Sequence, residues 1–265
     1  MNKVKAIVLR AAGINCDTET EYALNLAGAN AQRIHINQII EKQTILDGFH
    51  IMVFPGGFSY GDDVAAGKIL ANQIIHHLAE AIRKFIADGK LVLGICNGFQ
   101  VLTKMGILPG DDSTTPAYQN DVTITCNDSG IFEDRWVYLA PQTKRCLFID
   151  PDKQIYMPIA HGEGKVVAKD DDTLQALIDN DHIAFKYVDE DGNEGEYPIN
   201  PNGSIASIAG LTDTTGRVLG LMPHPERHIH NTQHPRWTRL KTKGQPDPDG
   251  MTIFKNAVNY IKNNF

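Results

Sequence analysis

The 265-residue sequence has few cysteines, only Cys16, Cys96, Cys126 and Cys146, and no CxxC pair. Irregular spacing of so few thiols excludes a zinc ribbon and a disulfide framework, and makes a reducing cytoplasm the expected compartment. No apolar run is long enough to cross a membrane, and the stretch from Met1 to Arg10 is too short in apolar residues for a signal peptide. Basic residues do not cluster: 25 Lys and Arg are scattered among 32 Asp and Glu, for a net charge of -7, which argues against a nucleic-acid partner. Internal repeats and low-complexity tracts are absent. What remains is an ordinary globular composition, 42% hydrophobic, with enough apolar residues for one sizeable core. One α/β domain with extra loops and one and a half domains both fit that length.

The most informative stretch is Leu91 to Gln100. Leu91, Val92 and Leu93 suit a strand buried on both faces. Gly94-Ile95-Cys96-Asn97-Gly98 follows with the spacing of a nucleophile elbow, cysteine standing where hydrolases place serine. Phe99 to Lys104 reads as a helix closed by Gly106, so Cys96 sits at a helix N-terminus, where free amides and the dipole favour a thiolate. A cysteine is more often a small buried hydrophobe. Here strand, glycines and helix agree on the nucleophile.

Further strands are predicted over 6–9, 34–36 and 51–54, and helices from Asp17 to Ala27, with Asp17 as its cap and Tyr22, Ala23, Leu26 and Ala27 as its apolar face, and from Lys68 to Ala87. Strand-helix alternation predicts a mostly parallel, doubly wound sheet flanked by helices. After Pro109 the pattern turns to an antiparallel, β-rich extension with strands over 122–126, 136–139, 182–188 and 218–222, a loop over 160–164, a short helix over 174–179 and a last helix over 253–261. The polar, proline-rich segment 228–249 reads as a surface excursion.

A thiolate nucleophile needs an acid or base and an oxyanion site. His224 follows the apolar strand 218–222, and Glu226 shares its face in an extended chain, so the carboxylate can orient the imidazole. The backbone amides of Asn97 and Gly57 are the oxyanion candidates. A rival metal site from His224, His228, His230 and His234 with Glu226 is disfavoured, because Pro223, Pro225 and Pro235 break any common helical face and no HExxH occurs. His76 and His77 read as surface. Cys16, Cys126 and Cys146 lack elbow contexts and read as inert.

The stretch 94–100 together with Pro223-His224-Pro225-Glu226-Arg227 resembles the class I, or triad, glutamine amidotransferases. A narrower resemblance, to the glutaminase components of phosphoribosylformylglycinamidine synthases, rests on Pro55 to Asp62, Ala160 to Gly164, Asn200 to Ser204 with Ile208 to Gly210, and Gly220 to Arg227. Asn15-Cys16-Asp17 and the stretch from Asn127 to Val137 also fit. The resemblance implies a flavodoxin-like amidotransferase fold in a single domain over residues 1–265. It implies that Cys96 attacks glutamine's side-chain amide, that His224 and Glu226 complete the triad, and that Gly56, Phe58, Gln100, His161 and Gly162 contact the substrate. Ammonia would pass to a synthetase subunit that carries ATP and Mg and converts formylglycinamide ribonucleotide to the amidine, with a small bridging subunit. No cofactor or metal is implied on this chain. The family usually has an arginine after the Gly-Asp pair, whereas Asp63-Val64-Ala65-Ala66 offers none. A glutaminase serving another acceptor, a non-catalytic regulatory module on the same fold, and a peptidase or metal hydrolase are the alternatives.

Overall fold

The computed structural model describes residues 3–110, 121–240 and 247–265. In chain order the elements are β1 Lys5–Arg10, α1 Asp17–Leu26, β2 Asn30–His35, α2 Ile36–Glu41, β3 Ile51–Phe54, α3 Lys68–Ala87, β4 Leu91–Ile95 and α4 Asn97–Lys104. Then come β5 Val122–Thr125, β6 Glu133–Pro141, β7 Ile155–His161, β8 Lys165–Ala168, α5 Asp171–Asp179, β9 Ile183–Val188, β10 Ile208–Thr212, β11 Val218–Leu221 and α6 Asp249–Asn264.

Nine strands form one sheet in the order β2-β1-β3-β4-β11-β10-β9-β6-β7, and β5 pairs with β8 in a separate ribbon. The strands from β2 to β11 run parallel, while β10, β9, β6 and β7 continue the sheet antiparallel. The parallel core and its antiparallel extension are the predicted architecture. Every residue of β3 and β4 is buried, as strands covered on both faces must be. The long helix α3 covers the sheet with Leu70, Ile74, Leu78, Ile82 and Phe85, while His76 and His77 are exposed.

Several boundaries differ from the expectations, each for a local reason. Asp17 does not cap α1: Cys16 occupies the N-cap, and the Asp17 carboxylate pairs with Arg10 Nε at 2.9 Å and with Arg33 Nη1 at 3.4 Å. The buried face of α1 is Thr20, Ala23 and Leu24, and Tyr22 and Leu26 face outward. The second strand starts at Asn30 and ends before Ile36, which begins α2. Ala160 and His161 finish β7, so the loop there starts only at Gly162. Strands β7, β8 and β10 have no counterpart among those predicted. The last helix begins at Asp249. In the 228–249 segment, His228 and Ile229 are buried, most of 230–240 is exposed, and residues 241–246 lie outside the described ones.

Candidate active site

Strand β4 delivers Cys96 to the C-terminal edge of the parallel strands, where folds of this kind open their ligand crevice. Cys96 has φ 49° and ψ -105°, a conformation sparsely populated by non-glycine residues and worth about 1–3 kcal/mol of strain. The turn is possible because Gly94 and Gly98 bring their backbones into close contact with surrounding atoms. A Cβ on Gly98 would fall onto the carbonyl oxygen of Phe54, with the carbonyl carbon at 2.6 Å. The clash is with strand backbone, which cannot rotate away. Gly98→Ala is therefore expected to lower stability by about 3 kcal/mol or more, read as a fall in the urea midpoint with unchanged slope.

His224 follows β11, and its backbone N–H donates to the Pro158 carbonyl at 2.8 Å, which ties it to β7. Its Nδ1 lies 2.6 Å from Glu226 Oε1, with both side chains almost wholly buried. Burial by itself disfavours the charged ring. The Glu226 carboxylate, helped by the Cys96 and Cys16 sulfurs, outweighs that and raises the His224 pKa well above its ordinary value. His224 Nε2 and Glu226 Oε2 have no hydrogen-bond partner among the described residues, so Nε2 is available to a reacting group.

Cys96 and His224 line one open-mouthed cavity of about 380 Å³ together with Gly57, Phe58, Gln100, His161, Gly162 and Arg227. That volume suits a single amino acid. Gly57 has φ 140°, and a Cβ there would come within 2.8 Å of Asn15 and Ile14 backbone, so glycine alone fits. Asn97 opens α4, where its N–H is one of the helix's unpaired donors. Its side chain spans Asp62 Oδ1 and Gln100 Oε1, each at 3.1 Å, and accepts the Ser59 N–H at 3.3 Å.

Of the expected substrate contacts, Gly56 lies outside the cavity lining, and Gln100 lines it with its side chain already bonded within the protein. Gly56 lies behind His224: a Cβ on it would sit 2.8 Å from His224 Cε1, and its carbonyl accepts the Cys16 N–H. It supports the imidazole instead of touching the cavity. Gln100 borders the cavity, but its side chain is engaged by Asn97 and by the Glu163 carbonyl, so it anchors the 162–164 loop.

The inert reading of Cys16 needs correcting for its position. Its sulfur lines the cavity, bonds to Arg227 Nη2 at 3.2 Å and lies against His224. Burial raises its pKa, which keeps it a protonated thiol beside the nucleophile. Sequence offered one signal, the Asn15-Cys16-Asp17 motif at a strand end, without saying what it would face. Cys146 is buried, its pKa pushed up to about 12 by desolvation, and Cys126 is exposed. The histidines of the rival metal site do not gather on His224 and Glu226, whose potential ligand atoms group with Cys16 within 4.8 Å, whereas His228 and His234 pack together on Trp136 with ring centroids 5.7 Å apart. His228 bonds to the Tyr156 carbonyl at 2.8 Å with its ring on Trp136, and His230 reaches Tyr22.

A strained cysteine elbow and a buried His-Glu pair at the neighbouring strand end, both lining one cavity, make a nucleophilic site of the amidotransferase type. The family model of the CobB/CobQ-like glutamine amidotransferase domain matches residues 3–261, and the chain belongs to that family. Its relatives include the phosphoribosylformylglycinamidine synthase subunit PurQ of Dehalococcoides mccartyi, 45% identical over 99% of both chains. The PurQ subunit of Methanococcus maripaludis is 41% identical over 97% of both. Among solved structures, a chain in the structure of PurLQS from Thermotoga maritima matches with TM-score 0.72 at 30% identity, covering 98% of this chain and all of that one.

Proposed function

We propose that this chain is the glutaminase subunit of a phosphoribosylformylglycinamidine synthase. It hydrolyses glutamine to glutamate and hands the ammonia to a synthetase subunit. Cys96 Sγ attacks the side-chain amide carbon, and the developing oxyanion takes the N–H groups of Gly57 and Asn97. His224, protonated and held by Glu226, gives its Nε2 proton to the departing nitrogen, so ammonia leaves and a γ-glutamyl thioester remains. His224 then takes a proton from water as the water attacks the thioester, and glutamate and free thiol result. The observation carrying this reading is the 2.6 Å His224–Glu226 bond facing the same cavity as Cys96.

Full-length likeness to PurQ subunits supports the acceptor as formylglycinamide ribonucleotide, converted to its amidine on a synthetase partner where ATP and Mg act. The PurLQS name of the Thermotoga maritima structure supports that partner and a small bridging subunit. The domain is a single unit over 1–265, and the compartment is the cytoplasm. No helix among the described residues is long and apolar enough to cross a membrane. An intact Cys96, His224 and Glu226 disfavours a non-catalytic module.

The test is glutamate release by the purified chain with and without its synthetase partner. Release is expected to rise on the order of tenfold or more with the partner, equivalent to about 1.4 kcal/mol or more at the transition state. Equal rates with and without every purine-pathway synthetase of the host would reject the assignment of the acceptor.

A further inference from the structure

The Asn15-Cys16-Asp17 turn takes no part in the triad chemistry, yet the fold builds it against the residues that support the imidazole. Cys16 is the N-cap of α1, and its N–H donates to the Gly56 carbonyl at 3.2 Å. Ile14 forms an antiparallel bridge with Gly57, so the turn is locked to the end of β3. A Cβ on Gly56 would stand 3.2 Å from Cys16 Sγ, 2.8 Å from His224 Cε1 and 3.4 Å from His224 Nδ1. Glycine at 56 thus lets the sulfur and the Cε1–Nδ1 edge of the ring approach one another. That edge is the one turned to Glu226, whose Oε1 lies 2.6 Å from Nδ1.

Cys16 Sγ, a ring nitrogen of His224 and a carboxylate oxygen of Glu226 lie within 4.8 Å of one another, and all three residues are at most 2% exposed. Thiolate, imidazole and carboxylate are the donors that zinc takes, and tetrahedral bonds of zinc length hold such atoms about 3.3 to 3.5 Å apart. Magnesium and calcium demand six or more oxygens and do not suit this set. A second observation points to a ligand. Glu226 Oε2 is buried and has no partner among the described residues, so half of the carboxylate is uncommitted. Charge agrees as well. A dication on one thiolate and one carboxylate is neutral, as a buried site requires. Arg227 touches the sulfur at 3.2 Å through Nη2, but its own charge is met by Glu19 at 3.2 Å from Nε.

We propose that Cys16, His224 and Glu226 form an inhibitory zinc site. Cys16 and His224 line the cavity, which gives the cation its way in and supplies water as the fourth ligand. Binding sends the thiol proton of Cys16 and the proton of the His224–Glu226 bond to solvent. The Nδ1–Oε1 distance opens from 2.6 Å to about 3.3 Å as the cation replaces that proton. The carboxylate then holds the metal and no longer an imidazolium, so the ring has no proton for departing ammonia. Cys96 is not one of the clustered ligands. Zinc here acts on the support of the imidazole, and the nucleophile's own sulfur is not needed to bind it.

Two measurements test this. In the first, glutamate release by the complex with the synthetase partner is followed in zinc buffered by a chelator. Wild type is expected to lose activity as free zinc rises and to regain it with excess EDTA. Cys16→Ser and Cys16→Ala are expected to raise the half-inhibitory zinc concentration by about 10- to 100-fold or more, since loss of a residue that merely orients a ligand already costs that much. Each variant is compared with its own zinc-free rate, so partial misfolding cancels, and zinc bound by the partner is common to all. Unchanged sensitivity in both variants overturns the proposal. In the second, cobalt(II) is added to the full-length chain carrying Cys96→Ala. Tetrahedral visible bands and a thiolate-to-cobalt charge-transfer band are expected, and both are expected to vanish when Cys16→Ser is added. Bands missing from Cys96→Ala, or surviving Cys16→Ser, overturn the proposal. A wild-type complex that releases no glutamate even in excess chelator overturns the glutaminase reading, and the cobalt spectra still decide the metal site.

Discussion

Glutamine hydrolysis is expected to fall by roughly 10⁴- to 10⁶-fold in Cys96→Ala, the range seen when the nucleophile of a three-residue catalytic unit is removed. The magnitude follows from the site's division of labour. Glu226 and His224 act only through a sulfur within reach, so their contributions vanish with it and the loss exceeds that of any one interaction. The backbone donors proposed for the oxyanion, those of Gly57 and Asn97, are untouched by the substitution and would leave a small residual rate. The fold should persist, because alanine fills the same strained φ and removes one sulfur that donates only a long 3.8 Å contact to the Ala160 carbonyl. Thermal unfolding and co-purification with the synthetase partner should match wild type, and synthesis from added ammonia should continue. Persistent glutamine hydrolysis would reject the triad. A covalent label from a glutamine-analogue electrophile on Cys96 of wild type, absent in the variant, would separate this chemistry from that of a peptidase.

The parts of this molecule legible in its sequence are those whose physics is local. An all-apolar strand, a glycine on each side of a cysteine and a helix-forming run are adjacent in the chain, so β4, the elbow and α4 lie where expected. The 3.6-residue apolar period of α3 likewise predicts its limits, Lys68 and Ala87. His224 and Glu226 are two residues apart at a strand end, so their contact is also local. What sequence did not reveal depends on distant pairing. Edge strand β2 is mostly polar, and β7 carries Pro158 inside its run, which argues against a strand unless the position is at a sheet edge, as it is. Cys16 shows nothing unusual in its neighbourhood of the chain. It becomes part of the site only because β1 and β11 end on the same side of the sheet. The orientation of Asn127, and with it the tautomer of His161, needs partners from three segments at once.

Glu226→Gln is expected to lower kcat by about 10³- to 10⁴-fold, although the replacement is nearly isosteric. Two effects combine. A carboxamide can turn its NH₂ toward Nδ1, which forces the ring proton to Nε2 in the wrong resting state and misdirects the imidazole. More important, the largest of the influences that hold the buried ring in its charged form disappears. Burial, the largest influence on His224, is then opposed only by the two sulfurs, so the ring loses its proton more readily and no longer offers an acid to the departing ammonia. The same substitution has a signature in stability. His224 has a native pKa raised above the unfolded value of about 6.5, so its contribution to stability is complete below that pH and is lost as pH rises through the raised native pKa. The Gln variant lacks this contribution, and leaving one member of a buried pair alone costs on the order of 3 kcal/mol. The gap in urea midpoint between wild type and variant should therefore be widest in mildly acidic buffer and narrow at alkaline pH. A gap that widened with rising pH, or a variant keeping a tenth of the wild-type rate, would show that Glu226 does not hold the imidazolium and that another group performs that role.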